Sequence, residues 1–179
     1  MILPEEFQSD RLTMRRFIGG DEAWIFDYAS DPEVTRYMDW PTHRDIADTF
    51  AYLRMIEDGW SSGTEYAWAI TLKAGSMPVG AIGCSEVTHR VSFGYVLGKE
   101  SWGRGYATEA SRSLHRVFEQ VPGLERIWAW CDVDNNASAH VLEKLGMEQE
   151  GILRKWKIRP NMPGQPARDS KVFARIMSN

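Results

Sequence analysis

Residues 102–110 read W-G-R-G-Y-A-T-E-A, directly after the apolar run Tyr95-Val96-Leu97-Gly98. The run reads as a strand that feeds a short loop and then a helix. Ala107, Ala110, Leu114, Val117, Phe118 and Val121 recur at a helical period and fall on one face. The first N–H groups of such a helix have no partner within it. Gly103 and Gly105 let the backbone approach a ligand closely and adopt unusual dihedrals. Together these features predict a ring of N–H donors at a positive dipole end, suited to a phosphate or diphosphate. Taken alone, the glycine pair also fits an ordinary tight turn.

Composition bounds the rest. The 179 residues suit one domain, 1–179, with room for a real core. A hydrophobic fraction of 43% and a charged fraction of 26% place the chain among ordinary globular proteins. The net charge of −4, with no Lys/Arg block, argues against a nucleic-acid partner. No apolar stretch approaches the length of a membrane span, and no secretory leader is visible, so a cytoplasmic protein without a membrane partner is expected. Cys84 and Cys131 lie in apolar strand-like runs without metal-type spacing. They read as buried, inert thiols, and no metal is expected.

Outward from the glycine loop, the chain alternates clearly. A first strand is expected at 11–17, a short helix at 21–29 and a further turn from Asp31-Pro32, with Asp31 as cap. A longer helix is expected from Thr42, with Ile46, Phe50 and Leu53 as its core stripe and Asp45 completing a capping box. Strands at 66–72, 79–86 and 91–97, joined by short turns such as Gly75-Ser76, predict an antiparallel meander. After the glycine-loop helix come a strand at 126–133, a helix at 137–145 stopped by Gly146, and strands near 147–158 and 170–177. This order predicts an α/β (α+β) fold, a mixed and mostly antiparallel sheet of six or seven strands flanked by helices.

The chain resembles the GNAT superfamily of N-acetyltransferases, and within it the RimJ/RimL-type branch that acetylates ribosomal-protein alanine. Arg11-Leu12-Thr13-Met14-Arg15, Asp31-Pro32-Glu33-Val34 and Tyr37-Met38 resemble the opening segments of that branch. Gly94-Tyr95-Val96-Leu97 with Trp102-Gly103-Arg104-Gly105-Tyr106-Ala107-Thr108-Glu109-Ala110 resembles the acetyl-CoA motif, and Asn135-x-x-Ser138 with Val141-Leu142-Glu143-Lys144-Leu145-Gly146-Met147 resembles the next. The two motifs stand in order, each at a strand-to-helix junction. Trp102 departs from the Gln or Arg of the wider superfamily, and Met147 from the usual Phe. Some relatives place a Tyr general acid in the last helix, where this chain offers Ser138.

The resemblance implies acetyl-CoA as co-substrate and a primary amine as acceptor. Backbone N–H groups from Arg104 to Thr108 would hold the diphosphate. The strand containing Tyr95, Val96, Leu97 and Gly98 would pair with the pantetheine arm, splayed in mid-sheet from the strand at 126–133. An N–H near Val96 or Leu97 would steady the oxyanion, a contact worth about 3 kcal/mol of barrier. Asn135 would order the pantetheine or the splayed strands, and Ser138 would donate to the departing thiolate. Glu86 is the first candidate base, acting through water, and His89 the second. An α-amine, with a pKa of about 7.7–8, is partly neutral at pH 7; a lysine amine, at about 10.4, is not.

Each residue also has a plainer reading. Asn135 is a natural helix cap, Ser138 a surface residue behind it, and Glu109 a surface charge. Trp128 and Trp130 read first as core filler, then as packing for acceptor or cofactor. Trp40, Trp60 and Tyr66 line an acceptor pocket or fill core or dimer contacts; a homodimer is left open. Arg154, Lys155, Lys157 and Arg159 read as a solvated basic edge, with attraction of an acidic partner or the adenosine phosphate behind it. The acceptor is either a peptide N-terminus or a small amine. A non-catalytic acyl-CoA sensor is the alternative function. A nucleotide-binding enzyme that uses the loop for phosphate is disfavoured because G-x-x-x-x-G-K-[ST] is missing and the full G-x-G-x-x-G pattern is not met.

Overall fold

A computed structural model describes residues 3–75, 77–85 and 88–177. Glu86, the first candidate base, and Ser76 of the meander turn lie outside the described residues.

The meander forms as its alternation predicts. β3 (Glu65–Leu72), β4 (Pro78–Ser85) and β5 (Arg90–Leu97) pair antiparallel in sequence order. On one side the sheet continues through β2 (Leu12–Arg15) to β1 (Glu6–Gln8). On the other it continues through β6 (Arg126–Asp132) to β8 (Arg168–Ile176) and β7 (Glu148–Lys157). The order is β1-β2-β3-β4-β5-β6-β8-β7, eight strands rather than the expected six or seven. The additional strand is β1, whose three residues are too few to carry a period.

Among the described residues only β5 and β6 run parallel, and they pair over three positions: Arg90 with Arg126, Val91 with Ile127, and Ser92 with Trp128. Beyond that row the ladder stops, so Phe93–Leu97 and Ala129–Asp132 border an open slot. The expected splay is therefore present.

Two apolar clusters lie on opposite faces of β5. Val91, Phe93 and Leu97 join Leu114 and Phe118 of α4 (Tyr106–Phe118) and Leu142 of α5 (Asn136–Lys144) in the main cluster. Val96, whose side chain turns the other way, joins Ile25 and Tyr28 of α1 (Glu22–Ala29) and Val34 of α2 (Pro32–Thr35). Ile127, Ala129 and Cys131 of β6 belong to the main cluster, so Trp128, Trp130 and Asp132 turn towards the α1 side.

Two expectations need correction. α3 spans Ile46–Ser62, and its N-cap is Asp45, not Thr42; Asp45 and Asp48 form the reciprocal box one turn later than expected. Thr42 is held instead by Asn161, whose Oδ1 accepts from its N–H at 2.7 Å and its hydroxyl at 2.9 Å. Ile46 and Phe50 are exposed; α3 buries Thr49, Ile56 and Gly59. Leu53 of the expected stripe does pack, against the second cluster, with Tyr52 beside it. Asp31 does cap α2, accepting from the N–H of Glu33 at 2.8 Å.

Candidate active site

The slot opens beside the start of α4. Gly103 and Gly105 both adopt left-handed dihedrals, with φ of 72° and 80°. A side chain would strain either position. Gly105 is the N-cap of α4 and brings no side chain to cap it. Its carbonyl accepts from the N–H of Glu109 at 3.0 Å, so the N–H groups of Tyr106, Ala107 and Thr108 precede the first helical bond. These donors suit an anion.

Glu109 sits in the same first turn, where its charge would repel that anion. It is turned away and neutralised. Its Oε1 accepts from the Ser9 hydroxyl at 2.7 Å and the Arg11 N–H at 2.9 Å, and its Oε2 from Arg11 Nε at 2.7 Å. Arg11 also donates to the Arg104 carbonyl at 3.2 Å and places its guanidinium over the Tyr106 ring at 4.8 Å. Glu109 is thus the clamp that ties the β1–β2 turn to the glycine loop. A sequence reading as a surface charge misses it, since the partners lie about a hundred positions away.

Trp102 is exposed, and its indole N–H donates to the Leu97 carbonyl at 2.9 Å, closing the loop onto the end of β5. Arg104 donates from Nε to the Glu100 carbonyl at 3.1 Å. Gly98 donates to the Val79 carbonyl at 3.0 Å. Antiparallel alternation then turns the N–H of Val96 towards β4 and those of Tyr95 and Leu97 into the slot.

On the far bank, Asn135 caps α5, its Oδ1 accepting from the Ser138 N–H at 3.1 Å. The hydroxyls of Ser138 and Tyr95 lie 3.1 Å apart, so the slot carries a hydroxyl pair. Burial pushes the Tyr95 phenol up to about 12, which keeps its proton in place at neutral pH.

The slot opens into a cavity of about 1200 Å³, bounded by β3–β6, α1, α3, the start of α5 and the segments at 37–44 and 156–163. Trp40, Trp128 and Trp130 line it, whereas Trp60 and Tyr66 do not; the last two pack edge to face at 4.8 Å in the main cluster. His89 is exposed and lies outside it. Two proton acceptors that sequence reasoning passed over do line it. Glu65 has its pKa raised by burial and by the charge of Asp39. His43, hydrogen-bonded through Nδ1 to the Thr49 hydroxyl at 2.9 Å, has its pKa lowered by burial. Glu65, Ser85, Ser92 and Trp128 form one row across β3, β4, β5 and β6, at the last rung before the splay. The hydroxyls of Ser85 and Ser92 are 3.0 Å apart.

Both cysteines are buried, and burial raises both thiols, Cys131 to about 11. They are poor nucleophiles. Among the described residues no cluster of His, Cys, Asp or Glu could hold a metal, and no helix is long and apolar enough to cross a membrane. The basic edge needs correction at Arg159, which is 3% exposed and lines the cavity, whereas Arg154 and Lys155 are open to solvent and Lys157 is partly so.

A family model described as an acetyltransferase (GNAT) domain matches residues 11–148. The chain belongs to the GNAT acetyltransferase family. It is 31% identical over 156 residues to the uncharacterized N-acetyltransferase p20 of Bacillus licheniformis, covering 86% of this chain and 88% of that protein. The fold of a GNAT-family acetyltransferase from Bacillus anthracis superposes with a TM-score of 0.83, at 24% identity, over 96% of this chain and 98% of that one. RimL, a ribosomal L7/L12 α-N-protein acetyltransferase solved with coenzyme A, superposes with a TM-score of 0.82 at 17% identity, over 99% and 98% of the two chains. At such identities the likeness is one of fold, and the acceptor has to be argued from this site.

Proposed function

We propose that this GNAT acetyltransferase moves the acetyl group of acetyl-CoA to a primary amine by direct attack. The observation that carries the reading is the parting of β5 from β6 after Ser92 and Trp128, next to a helix that begins with open N–H groups. A chain-like thioester ending in a diphosphate fits that pair of features. The amides of residues 104–108 take the diphosphate. The free edge of β5 at Tyr95–Gly98 takes the pantetheine arm, with Asn135 and Trp102 framing it.

The acceptor enters from the α1 side, where Glu65 and the serine row lie. Its nitrogen attacks the thioester carbon, a C–N bond forms and the C–S bond breaks. The proton leaving nitrogen passes by water and the Ser92 and Ser85 hydroxyls to Glu65, whose carboxylate is made more basic than usual by burial and by the charge of Asp39. The N–H of Leu97 or Tyr95 faces the developing oxyanion. On the other face, the Ser138 and Tyr95 hydroxyls donate to the departing sulfur. A thiol pKa near 8.5 asks only for a hydrogen bond there.

The test is acetyl-CoA titration by calorimetry, followed by thiol release with a panel of amines. Binding with turnover of at least one amine supports the enzyme. Binding without turnover of any favours the sensor, and absence of binding removes both readings. Glu65→Gln should lower kcat about 100-fold and leave acetyl-CoA affinity unchanged.

A further inference from the structure

Arg159 lies two residues past β7, with its side chain 1% exposed. None of its three guanidinium nitrogens has a hydrogen-bond partner. Asp132 is the nearest carboxylate, but Oδ2 is 3.6 Å from Arg159 Nε, too far for a hydrogen bond. That carboxylate is already engaged: Arg168 donates from Nε at 2.7 Å and from Nη2 at 2.8 Å, and the Asp134 N–H donates at 3.1 Å. A side chain that owns five donors in a planar fork is thus buried with all of them unused.

Apart from Asp132, the groups around Arg159 add donors rather than acceptors. The guanidinium lies over the Trp130 indole at 5.0 Å, and Lys157 Nζ approaches the same ring at 5.0 Å. Lys157 has a partner, Asp39 at 3.4 Å. The indole nitrogen of Trp128, two residues before Trp130 on the same face of β6, is also buried without a partner. Trp128, Trp130 and Arg159 all line the large cavity. Asp132 balances the Arg159 charge at 3.6 Å but satisfies none of its five donors, and the group that would satisfy them is rich in acceptors.

From this we infer that the acceptor amine carries an oxyanion, a carboxylate or a phosphate, and that the Arg159 fork holds it beside Trp130 while the amine faces the slot. The inference rests on the acetyltransferase reading above and names its substrate class. The side of the sheet decides against coenzyme A as the owner of the anion: Trp128, Trp130 and Asp132 face α1, whereas α4 packs on the opposite face. The nitrogens are closed to water in the free protein, so admitting the anion requires a small shift of the 158–167 segment or of the Trp130 indole. A planar fork suits both oxyanions bidentately.

The test compares acceptors that differ only in the anionic group: free amino acids, their amides, and aminoalkyl phosphates. The wild-type protein should prefer one of the anionic classes to its neutral counterpart by about 100-fold in kcat/KM. Which class wins separates carboxylate from phosphate. Arg159→Met should reduce that preference to within about threefold, Arg159→Lys should keep part of it, and acetyl-CoA affinity should be unchanged in both. Equal use of acids and amides by the wild-type protein overturns the inference, as does a loss of acetyl-CoA binding in Arg159→Met. A second readout needs no turnover. The indole N–H resonances of the protein should shift on titration with an N-acetyl amino acid or an aminoalkyl phosphate and stay still with the N-acetyl amide. Shifts without thiol release from any amine would remove the acetyltransferase reading and keep the anion site; thiol release without anion-dependent shifts would do the reverse.

Discussion

The hydroxyls of Tyr95 and Ser138 meet at 3.1 Å across the mouth of the slot, one from a strand and one from the first turn of a helix. As a pair they should act as a unit on the departing sulfur. Tyr95→Phe and Ser138→Ala are each expected to lower kcat by about 10-fold to 100-fold. The double variant should lose little more than either single one, because removing one member already breaks the pair. Steady-state kinetics on all four proteins checks this; fully additive losses would mean that the two hydroxyls work separately.

His115 gives a pH signature in stability. Burial, reinforced by the charges of Arg175 and Arg112, drops its pKa to about 4. Its ring meets Phe93 edge to face at 5.0 Å, and Nε2 has no partner. The unfolded chain takes up this proton near pH 6.5 and the folded one only near pH 4. Stability from this group is therefore complete above about pH 6.5 and is lost as the pH falls towards 4, by about 3 kcal/mol in all. Thermal melts across that window should fall less steeply for His115→Leu than for the wild-type protein.

Gly80 and Gly94 should respond oppositely to alanine. A Cβ at Gly80 would stand 2.2 Å from the Val96 carbonyl oxygen and 2.9 Å from Leu97 Cα, both backbone atoms of β5. Gly80→Ala must push the slot-forming strand aside, so both melting temperature and acetyl-CoA affinity should drop. At Gly94 nothing lies within 4 Å of the added carbon. Gly94→Ala should leave the melting temperature within a degree or two of the wild-type value. Differential scanning calorimetry compares the pair directly.

Glu109 holds Arg11 and Ser9 against the glycine loop. Glu109→Ala should cost about 1 kcal/mol of stability, since Arg11 is half exposed and water replaces part of the loss. It should also weaken acetyl-CoA binding several-fold, because the Arg11 contact to the Arg104 carbonyl goes with it. Unchanged calorimetric affinity would show that the loop holds its shape without the clamp.

What the sequence disclosed was whatever follows from short-range pattern. The stripe Ala107, Ala110, Leu114, Phe118 is buried as its spacing requires, and Gly103 and Gly105 hold the positive dihedrals that glycine permits. The meander and the Asn135 cap follow from equally local rules. Ile46 and Phe50 match the period yet lie in the first turns of α3, where they are exposed, and Thr42 is taken up by Asn161, over a hundred residues away, rather than by the helix. Arg159 was misread for a related reason. It ends a run of exposed charges, and nothing next to it in the chain records that Trp130 and Asp132 enclose it. Glu65 closes no motif, and its place in the row with Ser85 and Ser92 comes from register alone.

Asn161 also ties two distant stretches together. Besides taking both donors of Thr42, its Nδ2 donates to the Thr35 carbonyl at 2.7 Å and the Trp40 carbonyl at 2.9 Å. One amide thus rivets the stretch at 35–42 to the loop after β7, both of which border the large cavity. A change on either side of that rivet is therefore felt on the other, so the two stretches can be reshaped only together.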